Sequence, residues 1–253
     1  MNREEKLRIY QQQANQPFSG WDFRYISDTG RVASEPLPWS YASIVLPCIQ
    51  NSTTMLDMGT GGGEFLSMLQ PLPSNTFATE GYAPNVPIAK ERLEPIGVQV
   101  FELEDDDTLP FQNEQFDLII DKHEAYSVKE LHRILKKGGR FMTQQVGGTD
   151  QLGINTALGE KNTIGYDHWN LEYARKELET AGFTIEIAKK AFPYSRFYDI
   201  GALIYYLKAI PWQIPDFSVG LHFERLVELE KEIVQKGYLQ FKEDRFIIMA
   251  VKY

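Results

Sequence analysis

The 253 residues carry a formal net charge of −9 and are 43% hydrophobic, a composition that suits a globular protein with a substantial core. Because nucleic-acid affinity comes largely from lysine and arginine, the negative charge argues against a nucleic-acid substrate. With one cysteine, no run of ~18 apolar residues and no apolar leader, the sequence excludes an intrachain disulfide and predicts a cytoplasmic protein without a membrane span.

The first part of the chain predicts an N-terminal helical extension. Residues 1–16 are polar and predict a short helix, and a second helix is predicted around Trp39–Leu46, between prolines. The segment between these helices is rich in aromatic residues, which bury large apolar rings and also line binding pockets.

From residue 54 onward, short apolar strands alternate with amphipathic helices, which is the pattern of a βαβ sheet. The predicted strands are Thr54–Asp57, Thr76–Glu80, Gln99–Glu104, Phe116–Asp121, Gly139–Gln145, Phe183–Ala191 and Arg245–Lys252. The predicted helices are Glu64–Leu69, Pro84–Leu93, Ser127–Leu135 and Asn170–Ala181. The stretch before the last strand is too long for a bare loop and predicts a cap-like insertion with helices near Ile200–Ile210 and Leu221–Lys236.

The first of these strands ends on Asp57 and runs into a glycine-rich turn with glycines at positions 59, 61 and 63. Glycine allows positive φ and lets a ligand lie against the backbone, so a strand, a glycine turn and a helix predict a nucleotide-binding turn. The dinucleotide fingerprint G-x-G-x-x-G would need glycine at position 64, where Glu64 stands. The turn is therefore acid-x-G-x-G-x-G.

A second carboxylate, Glu80, ends the next strand 17 residues after Gly63. In nucleotide-binding α/β sheets an acid at this place accepts hydrogen bonds from ribose hydroxyls. The alternative is a surface glutamate at a strand end. The glycine turn upstream favours the ligand role.

The acid-x-G-x-G-x-G turn resembles motif I of the class I S-adenosylmethionine (SAM)-dependent methyltransferases. Three more blocks of that family follow in order: Glu80, then Asp105 with Leu109-Pro110-Phe111 and Phe116-Asp117-Leu118, then Leu135-Lys136-Lys137-Gly138-Gly139, with Lys137 where proline is common. The resemblance covers roughly residues 50–190 and recurs in the closing strand.

The resemblance implies an α/β fold: a doubly wound, seven-stranded, mostly parallel sheet of strand order 3-2-1-4-5-7-6 with helices on both faces. We expect one methyltransferase domain over 1–253. Its parts would be an extension (1–50), a cofactor-binding core (51–192), a helical insertion (193–244) and the last strand (245–253).

The resemblance also implies SAM as the methyl donor and S-adenosylhomocysteine as the product. The expected donor-binding residues are Asp57, Gly59, Thr60, Gly61, Gly63, Glu80, Gly81, Asp105, Asp106 and Lys122. Asp105 would accept from the adenine amino group and Asp106 would offer a backbone N–H, in a register open by one residue. The acidic run around them is otherwise a solvated turn.

His123 follows the fourth strand and is a candidate general base, because the ordinary pKa of histidine lies near neutral pH. The alternative is a polar packing residue, since methyl transfer often needs only alignment of the reacting atoms. Tyr25, Tyr198 and Asp199 are predicted to line the acceptor pocket. No metal is expected, because H-E-x-x-H and C-x-x-C patterns are absent.

Three functions fit this sequence. The acidic charge and the aromatic segments favour a methyltransferase that acts on a small molecule. An RNA or protein methyltransferase would need a basic groove. A non-catalytic SAM-binding module would have its pocket filled by side chains of the insertion.

Overall fold

The computed structural model describes residues 2–19, 21–103, 108–161 and 165–253. Its helices are α1 (Arg3–Ala14), α2 (Arg24–Ser27), α3 (Tyr41–Gln50), α4 (Glu64–Met68), α5 (Val86–Leu93), α6 (Val128–Ile134), α7 (Leu152–Leu158), α8 (Leu171–Thr180), α9 (Ile200–Ala209) and α10 (Phe223–Lys236). Its strands are β1 (Val32–Ser34), β2 (Thr54–Met58), β3 (Asn75–Glu80), β4 (Val98–Glu102), β5 (Phe116–Lys122), β6 (Leu135–Val146), β7 (Phe183–Ala191), β8 (Tyr194–Phe197), β9 (Leu239–Lys242) and β10 (Arg245–Lys252). None of the helices in these ranges has both the length and the apolar character that a membrane crossing requires.

The chain forms two compact units. The first, here the sheet unit, contains Pro38–Gly147, Trp169–Lys190 and Arg245–Tyr253. The second, here the accessory unit, contains Met1–Leu37, Gly148–His168 and Ala191–Asp244. These boundaries differ from the predicted ones, because α3 packs with the sheet and residues 148–168 fold with the insertion. The single-domain organisation stays a prediction.

The sheet unit is built on seven strands in the order β4-β3-β2-β5-β6-β10-β7. Counted within this sheet alone, the order is 3-2-1-4-5-7-6, which confirms the predicted fold. Neighbours from β4 to β6 are parallel, and β10 runs antiparallel to β6. The order reverses between β2 and β5, and open α/β sheets bind ligands in the crevice at the carboxyl ends of such strands.

Both faces of this sheet are buried because its central strands are continuously apolar. Successive side chains on a strand point to opposite faces, so Leu118 and Ile120 of β5 pack in one core cluster with Met55, while Ile119 packs in the other. The buried residues of α3 join the cluster of Leu118. Parallel sheets covered on both faces show this composition.

The accessory unit carries a second sheet that the sequence pattern did not indicate. Strands β1, β8 and β9 pair antiparallel in the order β1-β8-β9, beside a core to which α1, α9 and α10 contribute. The sequence had indicated that the extension and the insertion are helical. The structure shows that both also contain strands. Strands of three or four residues are too short to show the alternation by which strands are recognised.

Candidate functional site

Two buried carboxylates lie at the carboxyl-terminal edge of the sheet unit, next to the point where the strand order reverses. Asp57 is close to the end of β2 and Glu80 ends β3, and each residue is only 4% exposed. The two strands pair in parallel, so their carboxyl ends lie side by side. A buried carboxylate is costly unless it is paired or hydrogen-bonded, which makes both residues candidates for a binding site.

The turn between β2 and α4 adopts the backbone conformations that favour glycine. Gly59, Gly61 and Gly63 have φ angles of 60°, 62° and 79°. A Cβ built on Gly61 would have no atom within 4 Å, so this residue borders open space. A Cβ on Gly59 would lie 2.5 Å from Oε2 of Glu124. The turn is therefore packed against Glu124 at Gly59 and borders open space at Gly61.

Glu80 connects this turn to β3. Its Oε2 accepts a hydrogen bond from the N–H of Gly61 at 2.6 Å, and its Oε1 accepts one from the N–H of Tyr82 at 2.8 Å. Burial raises the pKa of Glu80, and the two N–H groups and the side chain of Asn85 oppose that shift. An ionised carboxylate has about four lone-pair sites, so Glu80 keeps acceptor capacity for a ligand hydroxyl.

Asp57 lies in an unfavourable place for a negative charge. Burial raises its pKa from 3.8 to about 7, and the nearby Glu80 charge acts in the same direction. The hydroxyl of Thr60 and the ammonium of Lys122 favour the ionised form and oppose the shift. A cationic ligand beside Asp57 would favour ionisation further.

Lys122, at the end of β5, is the cation of this edge that interacts with Asp57. Its Nζ lies 4.8 Å from the centroid of the Phe65 ring. Lys122 keeps solvent exposure, yet the protein atoms around its ammonium lower its pKa, and the charge of Asp57 offsets part of that shift. The structure thus brings together Asp57, the glycine turn, Glu80 and Lys122 as the sequence predicted, while their roles in binding stay predictions.

Glu124 also belongs to this edge, although the sequence did not single it out. Its side chain contacts the glycine turn at Gly59, its N–H donates to Oδ1 of buried Asp121 at 3.1 Å, and its own Oε1 accepts from the N–H of Ala125 at 3.1 Å. The available signal was its place two residues after β5, close to the strand end where ligands bind.

His123 lies between Lys122 and Glu124 in the left-handed region, with a φ of 71°. Its N–H donates to the carbonyl oxygen of Gln144 at 2.8 Å, which anchors the loop to β6. The residue is exposed, but the protein atoms that desolvate the ring, together with Arg245 and Lys122, lower its pKa. The imidazole is therefore neutral at neutral pH.

The remaining predicted donor ligands divide into two groups. Gly81 directly follows Glu80 and precedes Tyr82, so it lies at the site. Asp105 and Asp106 lie outside the described residues, and their roles stay predictions. Within the described ranges, no three His, Cys, Asp or Glu side chains are grouped as a metal site would require.

The loop that carries Leu109 and Phe111 is held by an arginine. Arg133 forms a bidentate pair with Glu130, with distances of 2.8 and 2.6 Å, and donates to the carbonyl oxygens of Phe111 and Leu109 at 2.6 and 3.0 Å. Glu130 in turn accepts from the N–H of Leu109 at 2.9 Å. The family-like block at Leu109 is therefore linked to α6 through a structural contact.

The predicted pocket-lining residues lie in the accessory unit. Asp199 accepts the N–H of Ala202 as the N-cap of α9 and pairs with Arg31 at 2.6 and 2.8 Å. Cζ of Arg31 lies 5.1 Å from the centroid of the Tyr25 ring. The N–H of Tyr198 donates to the carbonyl oxygen of Arg31 at 2.9 Å. The structure thus brings all three residues together around Arg31, and their contact with an acceptor stays a prediction.

The sequence matches a known family over the segment that contains this site. Residues 56–143 match the model of a methyltransferase domain, and they include Asp57, the glycine turn, Glu80 and His123. The chain therefore carries a SAM-dependent methyltransferase domain. SAM is its cofactor. No curated protein sequence matches it significantly.

Solved structures show the same fold at low sequence identity. A candidate methyltransferase from Bacillus halodurans C-125 is 19% identical with a TM-score of 0.55, over 83% of this chain and 99% of that one. A functionally unknown protein from Deinococcus radiodurans R1 is 11% identical with a TM-score of 0.60, over 91% and 97%. The phosphoethanolamine N-methyltransferase 2 of Haemonchus contortus, solved with phosphomonomethylethanolamine and S-adenosylhomocysteine, is 16% identical with a TM-score of 0.50, over 85% of this chain and 52% of that one.

Proposed function

We propose that this methyltransferase transfers the methyl group of SAM to a small-molecule acceptor by direct displacement at the methyl carbon. The observation that carries this proposal is the charge at the carboxyl-terminal edge of the sheet. Asp57, Glu80, Asp121 and Glu124 lie there with Lys122, and the whole chain carries a net charge of −9. This negative charge disfavours a phosphate backbone, because nucleic acid is bound through lysine and arginine.

The residues of this edge fit the donor. The glycine turn borders open space at Gly61, so the donor can lie against its backbone. Glu80 keeps lone pairs beyond those used by Gly61 and Tyr82, and these suit ribose hydroxyls. Asp57 supplies a carboxylate for the cationic part of the donor. When bound, SAM supplies an electrophilic methyl group on a sulfonium.

These residues act mainly by holding the donor in position. Rigid strand ends hold Asp57 and Glu80, and the hydrogen bond to Gly61 fixes the turn between them. Holding two reactants in line supplies as much as about 7–11 kcal/mol of the barrier reduction. The proposed reaction needs no covalent intermediate on the protein, because the acceptor itself is the nucleophile.

A labelling screen tests the acceptor class. Purified protein is incubated with methyl-labelled SAM and a cell extract, which is then separated into small molecules, RNA and protein. Small amines belong among the first purified acceptors, because phosphomonomethylethanolamine is bound in the Haemonchus contortus structure of the same fold. Glu80→Ala is the control that should lose donor binding.

Label in the small-molecule fraction, absent with Glu80→Ala, is the expected result. Label in RNA or protein instead would overturn the small-molecule proposal and favour a macromolecular acceptor. Calorimetry of SAM and S-adenosylhomocysteine on the same samples identifies the third possibility. Donor binding without label in any fraction would indicate a non-catalytic module.

A further inference from the structure

The indole of Trp39 determines how the side-chain amide of Gln144 is oriented. Trp39 lies just before α3, and Gln144 lies on β6 and is buried. An indole N–H is a donor only, and Trp39 Nε1 lies 2.8 Å from Oε1 of Gln144. The amide oxygen therefore faces the indole, and the amide nitrogen is left for the other side.

The other side of the Gln144 amide meets His123. Nε2 of Gln144 lies 3.3 Å from Nε2 of His123. An amide nitrogen only donates, so Nε2 of His123 must accept and cannot carry a proton. A neutral imidazole has one N–H, and here that proton is on Nδ1. Protonation of the ring would set two donors against each other, and the cations Arg245 and Lys122 oppose it as well.

The remaining N–H of His123 is available to a ligand. Its Nδ1 has no hydrogen-bond partner among the described residues, and the residue is exposed in the loop after β5. The backbone of His123 is fixed by the bond from its N–H to the Gln144 carbonyl oxygen and has a φ of 71°, a conformation rare for residues other than glycine. Strain of this kind persists where the surrounding contacts determine it.

We propose that His123 is a neutral hydrogen-bond donor of fixed tautomer, whose Nδ1–H binds an oxygen of the acceptor molecule. Trp39 and Gln144 are its positioning residues. The general-base role suggested by the sequence needs a free ring lone pair, but Nδ1 carries the proton and the lone pair of Nε2 is used by Gln144. A carbonyl or carboxylate oxygen is the ligand group that a neutral N–H suits. Only this acceptor contact depends on the function proposed above.

Nuclear magnetic resonance of ¹⁵N-histidine-labelled protein tests the tautomer directly. The chain has four histidines, so the His123 signals are assigned by their loss in His123→Asn, with His132→Gln as the matched control. Relative to a free histidine side chain, the ratio of Nδ1–H to Nε2–H should rise by at least about fivefold, which is what one net hydrogen bond supports, and Nδ1–H should be the major form. A free histidine side chain favours the opposite tautomer, so the expected result is distinctive.

Two variants test whether Trp39 and Gln144 determine the tautomer of His123. Trp39→Phe frees the Gln144 amide to turn over, and Gln144→Leu removes it. Both should shift His123 toward the Nε2–H tautomer and raise its pKa. A dominant Nε2–H form in the wild type, or protonation of His123 near pH 6.5, overturns the proposal. The wild-type spectrum decides this even if a variant does not fold.

Methyl transfer to the labelled acceptor tests the ligand contact. His123→Asn keeps an N–H near the Nδ1 position, whereas His123→Phe removes it. The donor role predicts that the KM for the acceptor rises at least about tenfold more in His123→Phe than in His123→Asn, with an unchanged pH profile. Loss of about 10²–10⁴-fold in kcat in both variants would indicate a general base instead. The tautomer measurement stands without an acceptor, so the two proposals fail separately.

Discussion

The backbone N–H of Gly61 donates a 2.6 Å hydrogen bond to Oε2 of Glu80, which joins the glycine turn after β2 to the end of β3. The N–H of Thr60 makes a second link to β3 by donating to the carbonyl of Thr79 at 2.9 Å. The carboxylate expected to bind the donor ribose therefore also shapes the turn on which we place the donor. We therefore expect donor binding and the local structure to depend on the same side chain.

Glu80→Gln tests this double role. A glutamine at this position places its amide N–H₂ against the N–H of Gly61 or of Tyr82, so one donor loses its acceptor. Leaving a buried donor without an acceptor costs about 1–3 kcal/mol, and the affinity for SAM should fall by about 10- to 100-fold. Urea denaturation and calorimetry measure the two effects. The exposed Glu91→Gln is the control, and normal SAM affinity in Glu80→Gln would contradict the ribose role.

We expect Asp57 to make donor binding depend on pH. Its pKa, raised to about 7 by burial, means that part of the population is protonated at neutral pH. The cationic donor favours the ionised carboxylate, so the affinity for SAM should increase as pH rises through about 7. Calorimetry in buffers of different ionisation enthalpy should show release of up to one proton at pH 6 and little at pH 8. Asp57→Asn should show no such release, and equal proton release by both proteins would refute the assignment.

The same carboxyl affects the stability of the ligand-free protein in the opposite direction. Between the unfolded pKa of 3.8 and the folded value of about 7, the folded state binds the extra proton. The contribution to stability is therefore fully present below pH 3.8 and is lost as pH rises to about 7, by up to roughly 1.4 kcal/mol per pH unit. Urea denaturation of the wild type at several pH values measures this slope. Asp57→Asn should lack the contribution of this residue.

Gly59→Ala and Gly61→Ala form a matched pair. Both residues have φ near 60°, so alanine is strained at either position. In addition, a Cβ at position 59 meets the Glu124 side chain at 2.5–2.6 Å, whereas one at position 61 meets nothing. Gly59→Ala should therefore be less stable than Gly61→Ala by about 1–3 kcal/mol, measured by urea denaturation.

SAM affinity should depend on whether the added Cβ enters the donor site. The Cβ of Gly61→Ala projects into the open space where we place the donor, so this variant should bind SAM poorly while it stays folded. Full SAM affinity in Gly61→Ala would show that the donor lies elsewhere. Equal stability of the two variants would show that the Glu124 side chain moves aside freely.

Asp199 can be tested for its structural and its predicted pocket roles together. Asp199→Asn keeps an oxygen for the N-cap of α9 and loses the charge that pairs with Arg31, whereas Asp199→Ala loses both. The alanine variant should be less stable than the asparagine variant by about 1 kcal/mol. A changed KM for the acceptor in the stable Asp199→Asn protein would support the pocket role, and an unchanged KM would leave only the structural one.

The sequence predicted the parts of this protein whose signals are local. The seven strands of the sheet unit and the acid-x-G-x-G-x-G turn are each visible within about ten residues, and the strand order follows from the family resemblance. The pairing of β1 with β8 joins segments more than 150 residues apart, and both strands are too short to show alternation. Likewise, nothing local connects Trp39 to Gln144 or Gly59 to Glu124. Such contacts depend on the strand order, which brings distant loops to one edge.

Arg133 offers a last test, because the structure shows a role for it that the sequence did not indicate. Its guanidinium binds Glu130 and the carbonyls of Leu109 and Phe111 at once. Lysine cannot reproduce this planar set of donors, so Arg133→Lys should lose about 1–3 kcal/mol of stability, nearly as much as Arg133→Ala. Lys129→Ala, at an exposed position of the same helix, is the control. If Arg133→Lys unfolds in urea like the wild type, a simple positive charge is sufficient and the bidentate pair is not the stabilising feature.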